Sequence, residues 1–262
     1  MTEIDTRHGW FFKLYILLIF VFLYLPVVVL IVFSFNESPI IGVWSGFSLR
    51  WYEALLQNRA VVTAAKNSMI VSFSATLIAT VIGTTTALLM ERKGWFRGKS
   101  IIDPLLYMPL MVPEVVFAIS LLTVFTLIGL RLSFLTLITS HVAFITAFVI
   151  ITIRVRLAGT NRSLEEAAMD LGANEWKTFW HVTFPILLPG IIGGALLGFA
   201  ISLEDFVITF FTAGPGSSTL PLWIWGTLRR GISPDINALS TIMVLISVSI
   251  VLIAQVINRK KA

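Results

Sequence analysis

The 262-residue chain contains no cysteine, which excludes disulfides, thiolate nucleophiles and cysteine-held metals and leaves the redox compartment unmarked. Charge is scarce as well: Asp, Glu, Lys and Arg supply 13% of the residues, against about 25% in an ordinary soluble domain. The three histidines, His8, His141 and His181, are scattered without the spacing of metal ligands. GxxxxGK[ST] is missing, so the chain has no loop of its own to cradle nucleotide phosphates. G-x-S-x-G and H-E-x-x-H are missing too, which removes the familiar hydrolase and metalloprotease signatures. No low-complexity tract, soluble domain or convincing internal repeat interrupts the chain, which reads as a single domain over 1–262.

What the chain has in excess is apolar surface. Hydrophobic residues make up 57% of it and the mean hydropathy is +0.92, the composition of an integral membrane protein. Apolar runs at about 14–35, 62–90, 101–127, 134–153, 186–211 and 236–257 predict six transmembrane helices and an all-α polytopic fold. The first run is too long for a signal-peptide core and lacks a small-residue cleavage site, so it counts as a span. The third carries Pro104, Pro109 and Pro113 and is expected to be kinked or broken. Gly83 and the threonines after it suit close helix packing in the second. Residues 36–61 form a polar-aromatic loop ending in an amphipathic helix, with Trp44, Trp51 and Tyr52 suited to an interfacial belt.

The net charge of +5 does not point to nucleic acid, because the basic residues sit in short blocks between apolar runs. The N-terminus, the 91–100 loop, the 154–184 segment and the C-terminus carry two, four, four and three Lys/Arg residues, against six elsewhere. By the positive-inside rule these four segments, and with them both termini, are expected to face the cytoplasm.

Two polar features remain. The first is the island Asn161 to Pro189 between two apolar runs. Ser163 and Glu166 have the spacing of a capping box that opens a short helix, Gly172 supplies a left-handed stop, and Asn174 is placed to cap a second helix. The second feature is a set of intramembrane acids, Glu114 in the third run and Glu204-Asp205 in the fifth. A carboxylate at mid-bilayer costs on the order of 2.5–3.5 kcal/mol, so such residues face a bundle interior, a watery cavity or a partner. They either pair with bases such as Lys66, Arg229 or Arg230, or hydrogen-bond to broken helix backbone, or line a path for a cation such as an amine. Phe206, Phe210 and Trp51 stand where cation–π attraction would assist that path.

The island resembles the EAA loop of the membrane-spanning permease subunits of bacterial ABC importers. Glu166-Ala167-Ala168, Gly172 after three residues, and Val182-Thr183-Phe184-Pro185 after nine more follow the family pattern, with Phe184 where Leu is usual. SLEDFVITFFTAGPGSSTLPLWIW and RRGISPDINALSTI further resemble the spermidine/putrescine branch, as do SFNES, RWYEALL and MVPEVVFAIS. That branch has Asp-Asp where this chain has Glu204-Asp205, which keeps the charge and lengthens one reach by a methylene.

The resemblance implies a six-span type I ABC importer permease forming half of a pore in the bacterial inner membrane. The loop at about 157–184 would dock through Glu166, Ala167, Ala168 and Gly172 on a dimer of ATP-binding cassette ATPases. A second homologous permease, a periplasmic or extracellular binding protein and membrane lipid are the other implied partners. No cofactor belongs to this chain, ATP and magnesium being on the ATPase. The implied substrate path includes Glu114, Glu204, Asp205 and Trp51. Alternatives are an ABC permease for ferric iron, thiamine or phosphonate, a secondary cation transporter, or an intramembrane enzyme; for the last, no nucleophile-base pair is spaced to serve.

Overall fold

The apolar runs form long helices, two of them across an isolated Pro26 or Pro189, and where prolines cluster the chain forms short ones. The computed structural model describes residues 9–40, 42–92, 96–230 and 234–259. His8 and the basic residues Arg7, Lys93, Lys260 and Lys261 lie outside the described residues. In chain order the helices are α1 (Gly9–Ser34), α2 (Arg50–Gln57), α3 (Arg59–Arg92), α4 (Lys99–Leu106), α5 (Met108–Met111), α6 (Glu114–Leu127), α7 (Phe134–Ala158), α8 (Ser163–Asp170), α9 (Glu175–Thr178), α10 (Phe184–Glu204), α11 (Val207–Thr212), α12 (Leu220–Arg230) and α13 (Pro234–Arg259). Strand pairing among the described residues amounts to one isolated antiparallel bridge, Asn36 to Phe47.

Among the described residues, five segments are long and apolar enough to cross a membrane: Trp10–Ser34, Arg59–Arg92, Phe134–Ala158, Glu175–Glu204 and Pro234–Val256. The third predicted span is the one in pieces. Pro104 lies inside α4, Pro109 opens α5 and Pro113 precedes α6. Each proline removes a backbone donor and crowds the carbonyl four residues back. The 14 residues of α6 rise about 21 Å, short of a hydrocarbon core of about 30 Å.

The fifth predicted span starts earlier than its apolar run suggests. Instead of beginning near Ile186, the helix starts at Glu175 and passes through a π-helical turn, Phe179–Thr183, into α10. Pro185 accounts for the wide turn: its ring would collide with the His181 carbonyl of a regular helix, and the extra residue per turn relieves that crowding. The same span then breaks at Asp205, whose backbone is extended (φ −62°, ψ 125°), before α11 resumes.

The helices gather into two compact units, residues 1–62 with 226–245 and residues 63–225 with 246–262. In the first, Ser34 and Tyr52 share a hydroxyl hydrogen bond of 2.7 Å. Asn36 organises the following loop, donating to the Val43 carbonyl at 2.6 Å and accepting from the Ser45 N–H at 3.0 Å. Residues 10–26 of α1 are exposed along their whole length.

In the second unit, α7 packs against both α3 and α10. Val149 of α7 is fully buried at the crossing, with Ala75, Ala79, Ile145, Ile153 and Leu187 around it. A Cβ on Gly83 of α3 would stand 2.7 Å from Val149 Cγ1, so glycine is what lets these two helices approach. From the other side α10 brings Gly194 and Gly198 to the same valine. At one end of this packing Arg154 binds Glu91 at 2.6 Å, the Tyr107 hydroxyl at 2.6 Å and the Asp103 carboxylate, tying α3, α4 and α7 together.

Candidate transport site and coupling loop

The break in the fifth span builds the first candidate site. Two backbone N–H groups of α11 point at Asp205: Thr209 N–H donates to Oδ1 at 2.8 Å and Ile208 N–H to Oδ2 at 3.4 Å. The Thr209 hydroxyl adds a third bond at 3.0 Å. Asp205 therefore sits at the positive end of a half-helix, where a carboxylate is favoured, and only 7% of it is exposed. Of the three alternatives for the acids, hydrogen bonding to broken backbone describes Asp205.

Two further groups converge there. Glu114 occupies the first turn of α6, directly after Pro113, and its carboxyl lies close enough to Asp205 for the two groups to interact. The second is His141 of α7, which sequence reasoning passed over. Its Nε2 lies 3.4 Å from Asp205 Oδ1 and 3.0 Å from the Thr209 hydroxyl, while Nδ1 bonds the Ser202 hydroxyl at 2.7 Å. The available signal was a lone ionisable residue inside an apolar span, which is rarely idle.

Glu204 parts from its neighbour. It is exposed and lines an open, mainly apolar groove of about 370 Å³ between α10 and α13, with Leu197, Ile201, Ser247 and Val251. Consecutive helical residues point about 100° apart, and the chain leaves the helix immediately after Glu204. Trp51 belongs to the other compact unit. Its Nε1 donates to the Asn36 carbonyl at 2.7 Å and the Arg50 guanidinium lies over its ring at 4.4 Å. Phe206 packs on Phe210 and Trp225, with centroids 5.6 and 5.1 Å away. Lys66 is exposed.

The loop at 157–184 forms the predicted helix, glycine turn and helix. Gly172 has φ +89°; its N–H bonds Met169 O and that of Ala173 bonds Ala168 O, at 2.9 and 3.0 Å. This is the paired closure of a Schellman stop. Asn174 caps α9, accepting from Lys177 N–H at 2.9 Å. The predicted capping box at Ser163 and Glu166 does not form. Arg162 holds the cap position with no side-chain bond. The Asn161 side chain instead accepts from Ser163 N–H at 3.0 Å, and Glu166 pairs with Arg162 at 3.3 Å. Asn161 wins because its amide oxygen already reaches two residues ahead. Glu166 and Ala167 are exposed and Ala168 is half-buried.

Residues 79–260 match the family model "Binding-protein-dependent transport system inner membrane component". The chain belongs to this family. Among curated relatives of this inner-membrane component is the putrescine transport system permease protein PotI of Escherichia coli (strain K12), 40% identical over 90% of this chain and 86% of that protein. Another is the spermidine/putrescine transport system permease protein PotC of Haemophilus influenzae, 38% identical over 99% of both. Its fold is similar to that of a bacterial ABC transporter involved in the import of the acidic polysaccharide alginate (TM-score 0.73, 19% identity, 97% of this chain and 96% of that one). It also resembles a chain of the MetNI methionine ABC transporter in inward-facing conformations (TM-score 0.65, 15% identity, 77% and 95%). The inner-membrane component thus has the all-α fold of ABC importer permeases.

Proposed function

We propose that this permease forms half of the pore of an ATP-driven importer of polyamines, spermidine or putrescine. One observation carries the substrate class: Glu114 and Asp205 meet at the ends of two interrupted helices, α6 and α11. Two carboxyl groups at such a break offer a passing ammonium group hydrogen-bond acceptors and charge without exposing them to lipid. The names of the relatives, which are polyamine permeases at 38–40% identity, support the same assignment.

ATP hydrolysis belongs to a partner ATPase dimer that holds ATP and magnesium, since this chain has no phosphate loop. Glu166, Ala167, Ala168 and Gly172 present α8 to that dimer, the small alanines allowing close approach. A second homologous permease completes the pore, an external binding protein delivers the amine, and both termini face the cytoplasm of a bacterial inner membrane. The amine passes Asp205 and Glu114, with Glu204 and Trp51 as further contacts along its path.

The test is uptake of labelled putrescine and spermidine into proteoliposomes holding the permease pair, ATPase and binding protein. ATP-dependent uptake that falls at least tenfold in Asp205→Asn, a loss of about 1.4 kcal/mol, supports the assignment if the complex still assembles. Absence of uptake of either amine by an assembled, ATP-hydrolysing complex refutes it.

A further inference from the structure

Glu165, the residue before the EAA triplet, is held inside the protein while Glu166 faces out. The Glu165 side chain is 14% exposed, against 57% for Glu166. Its Oε1 lies 3.1 Å from Arg92 Nη2 at the last position of α3 and accepts from the Thr183 hydroxyl at 3.0 Å. Arg92 Nη2 also donates to the Thr160 hydroxyl at 2.9 Å, in the turn leading into α8. One ion pair and its hydrogen bond to Thr183 therefore join the end of α3, the helix α8 and the π-helical turn within the fifth span. A cavity of about 570 Å³ opens beside it, walled by Leu88 and Leu89 of α3 and by Met169 and Phe179 across from them.

The far end of α3 is fastened with equal care. Asn67 Nδ2 donates to the carbonyls of Gly216 and Ser218, both at 2.9 Å, and the Ser68 hydroxyl accepts from Leu220 N–H at 2.8 Å. These bonds grip the loop that follows α11, the short helix whose N-terminal amides hold Asp205. Between Arg92 and Asn67 lie about 38 Å of helix, and α3 has no proline to bend it.

We propose that Arg92 and Glu165 are positioning residues that fasten the coupling helix to α3, and that α3 carries its displacement to the 213–219 loop beyond Asp205. This rests on the coupling role of α8 given above. Glu166 then meets the outside partner while Glu165 passes the motion inward. An element both sites bias is the requirement for such coupling, and α3 is one that touches both.

The natural absence of cysteine allows a direct test. Ser218→Cys gives this chain a single thiol on the gripped loop, in a complex reconstituted with cysteine-free partners. Maleimide labelling is timed with and without ATP, beside amine uptake per ATP hydrolysed. Glu165→Gln and Arg92→Gln are expected to shrink the ATP-dependent change in labelling, and uptake per ATP, by about fivefold or more, while the ATPase still copurifies. The exchange of Arg92→Glu with Glu165→Arg is expected to restore both, because the ion pair re-forms with its charges reversed. Wild-type behaviour in Glu165→Gln, labelling blind to ATP without either substitution, or an exchange that restores neither readout overturns the proposal. Failure of the underlying coupling role shows separately, as unchanged ATPase copurification and hydrolysis in Ala168→Trp.

Discussion

Replacing Gly83 by alanine places a methyl group 2.7 Å from Val149 Cγ1 and 3.0 Å from its Cβ. Carbon atoms settle at about 3.5–4.0 Å, so α3 and α7 must part by roughly an ångström or the valine must turn. It has little freedom to turn: a helical valine strongly prefers one rotamer, and Gly194 and Gly198 of α10 close the opposite side of the same side chain. Overpacking of this kind costs about 1–3 kcal/mol, and the better helix propensity of alanine returns at most about 1 kcal/mol. A net loss of about 1–2 kcal/mol follows, which lowers Tm by roughly 2–8 °C in a chain of this size. Thermal unfolding of the purified protein in mild detergent measures it, with Val149→Ala and the double variant alongside. The double variant is expected to recover about 1 kcal/mol or more relative to the sum of the single losses, because the second substitution removes the atoms the first collides with. A Gly83→Ala protein as stable as the parent, or strict additivity in the cycle, refutes the close-packing account.

Two further substitutions separate steric from conformational demands and structure from transport. A Cβ on Gly214 would fall 2.0 Å from the Leu132 carbonyl oxygen, whereas Gly216 has open space and only a positive φ of +80°; Gly214→Ala is expected to abolish recovery of folded protein, and Gly216→Ala to cost about 1–2 kcal/mol, as read by yield and Tm. His141→Leu removes the hydrogen bonds to Ser202 and Thr209. At about 0.6 kcal/mol for an average intramembrane bond, Tm should fall by only a few degrees, while uptake falls about tenfold as Asp205 loses its neighbour; unchanged uptake would assign His141 to packing alone.

The readability of this chain follows the range of the forces involved. Spans declared themselves because hydropathy is summed over twenty residues, and the interruptions of the third span followed from Pro104, Pro109 and Pro113 because a missing N–H acts within one turn. Gly172 and Asn174 were legible for the same reason. Ser163 was not, because Asn161 two residues earlier competes for the same backbone donor. The true start of the fifth span was hidden by Pro185, which reads as a barrier unless a π turn absorbs it. Least legible was the acid site. Glu204 and Asp205 look like a pair in the sequence, yet a single extended residue sends them apart, and His141 reaches Ser202 across 61 positions of chain.

The prolines of the third span also decide which way that part of the protein must face. Pro104, Pro109 and Pro113 have no hydrogen to give the carbonyl oxygens of Ser100, Leu105 and Pro109, the acceptors a continuous helix would have served. Hydrocarbon chains supply no donor, and an oxygen left bare among them costs several kcal/mol. Each such oxygen is therefore either served by a tight local turn, as Leu105 is by the Tyr107 N–H, or must find a donor in its own protein, a neighbouring subunit or water. Three rings in the backbone in this way act as an orientation signal, favouring a polar neighbour over lipid on that side without a single charge.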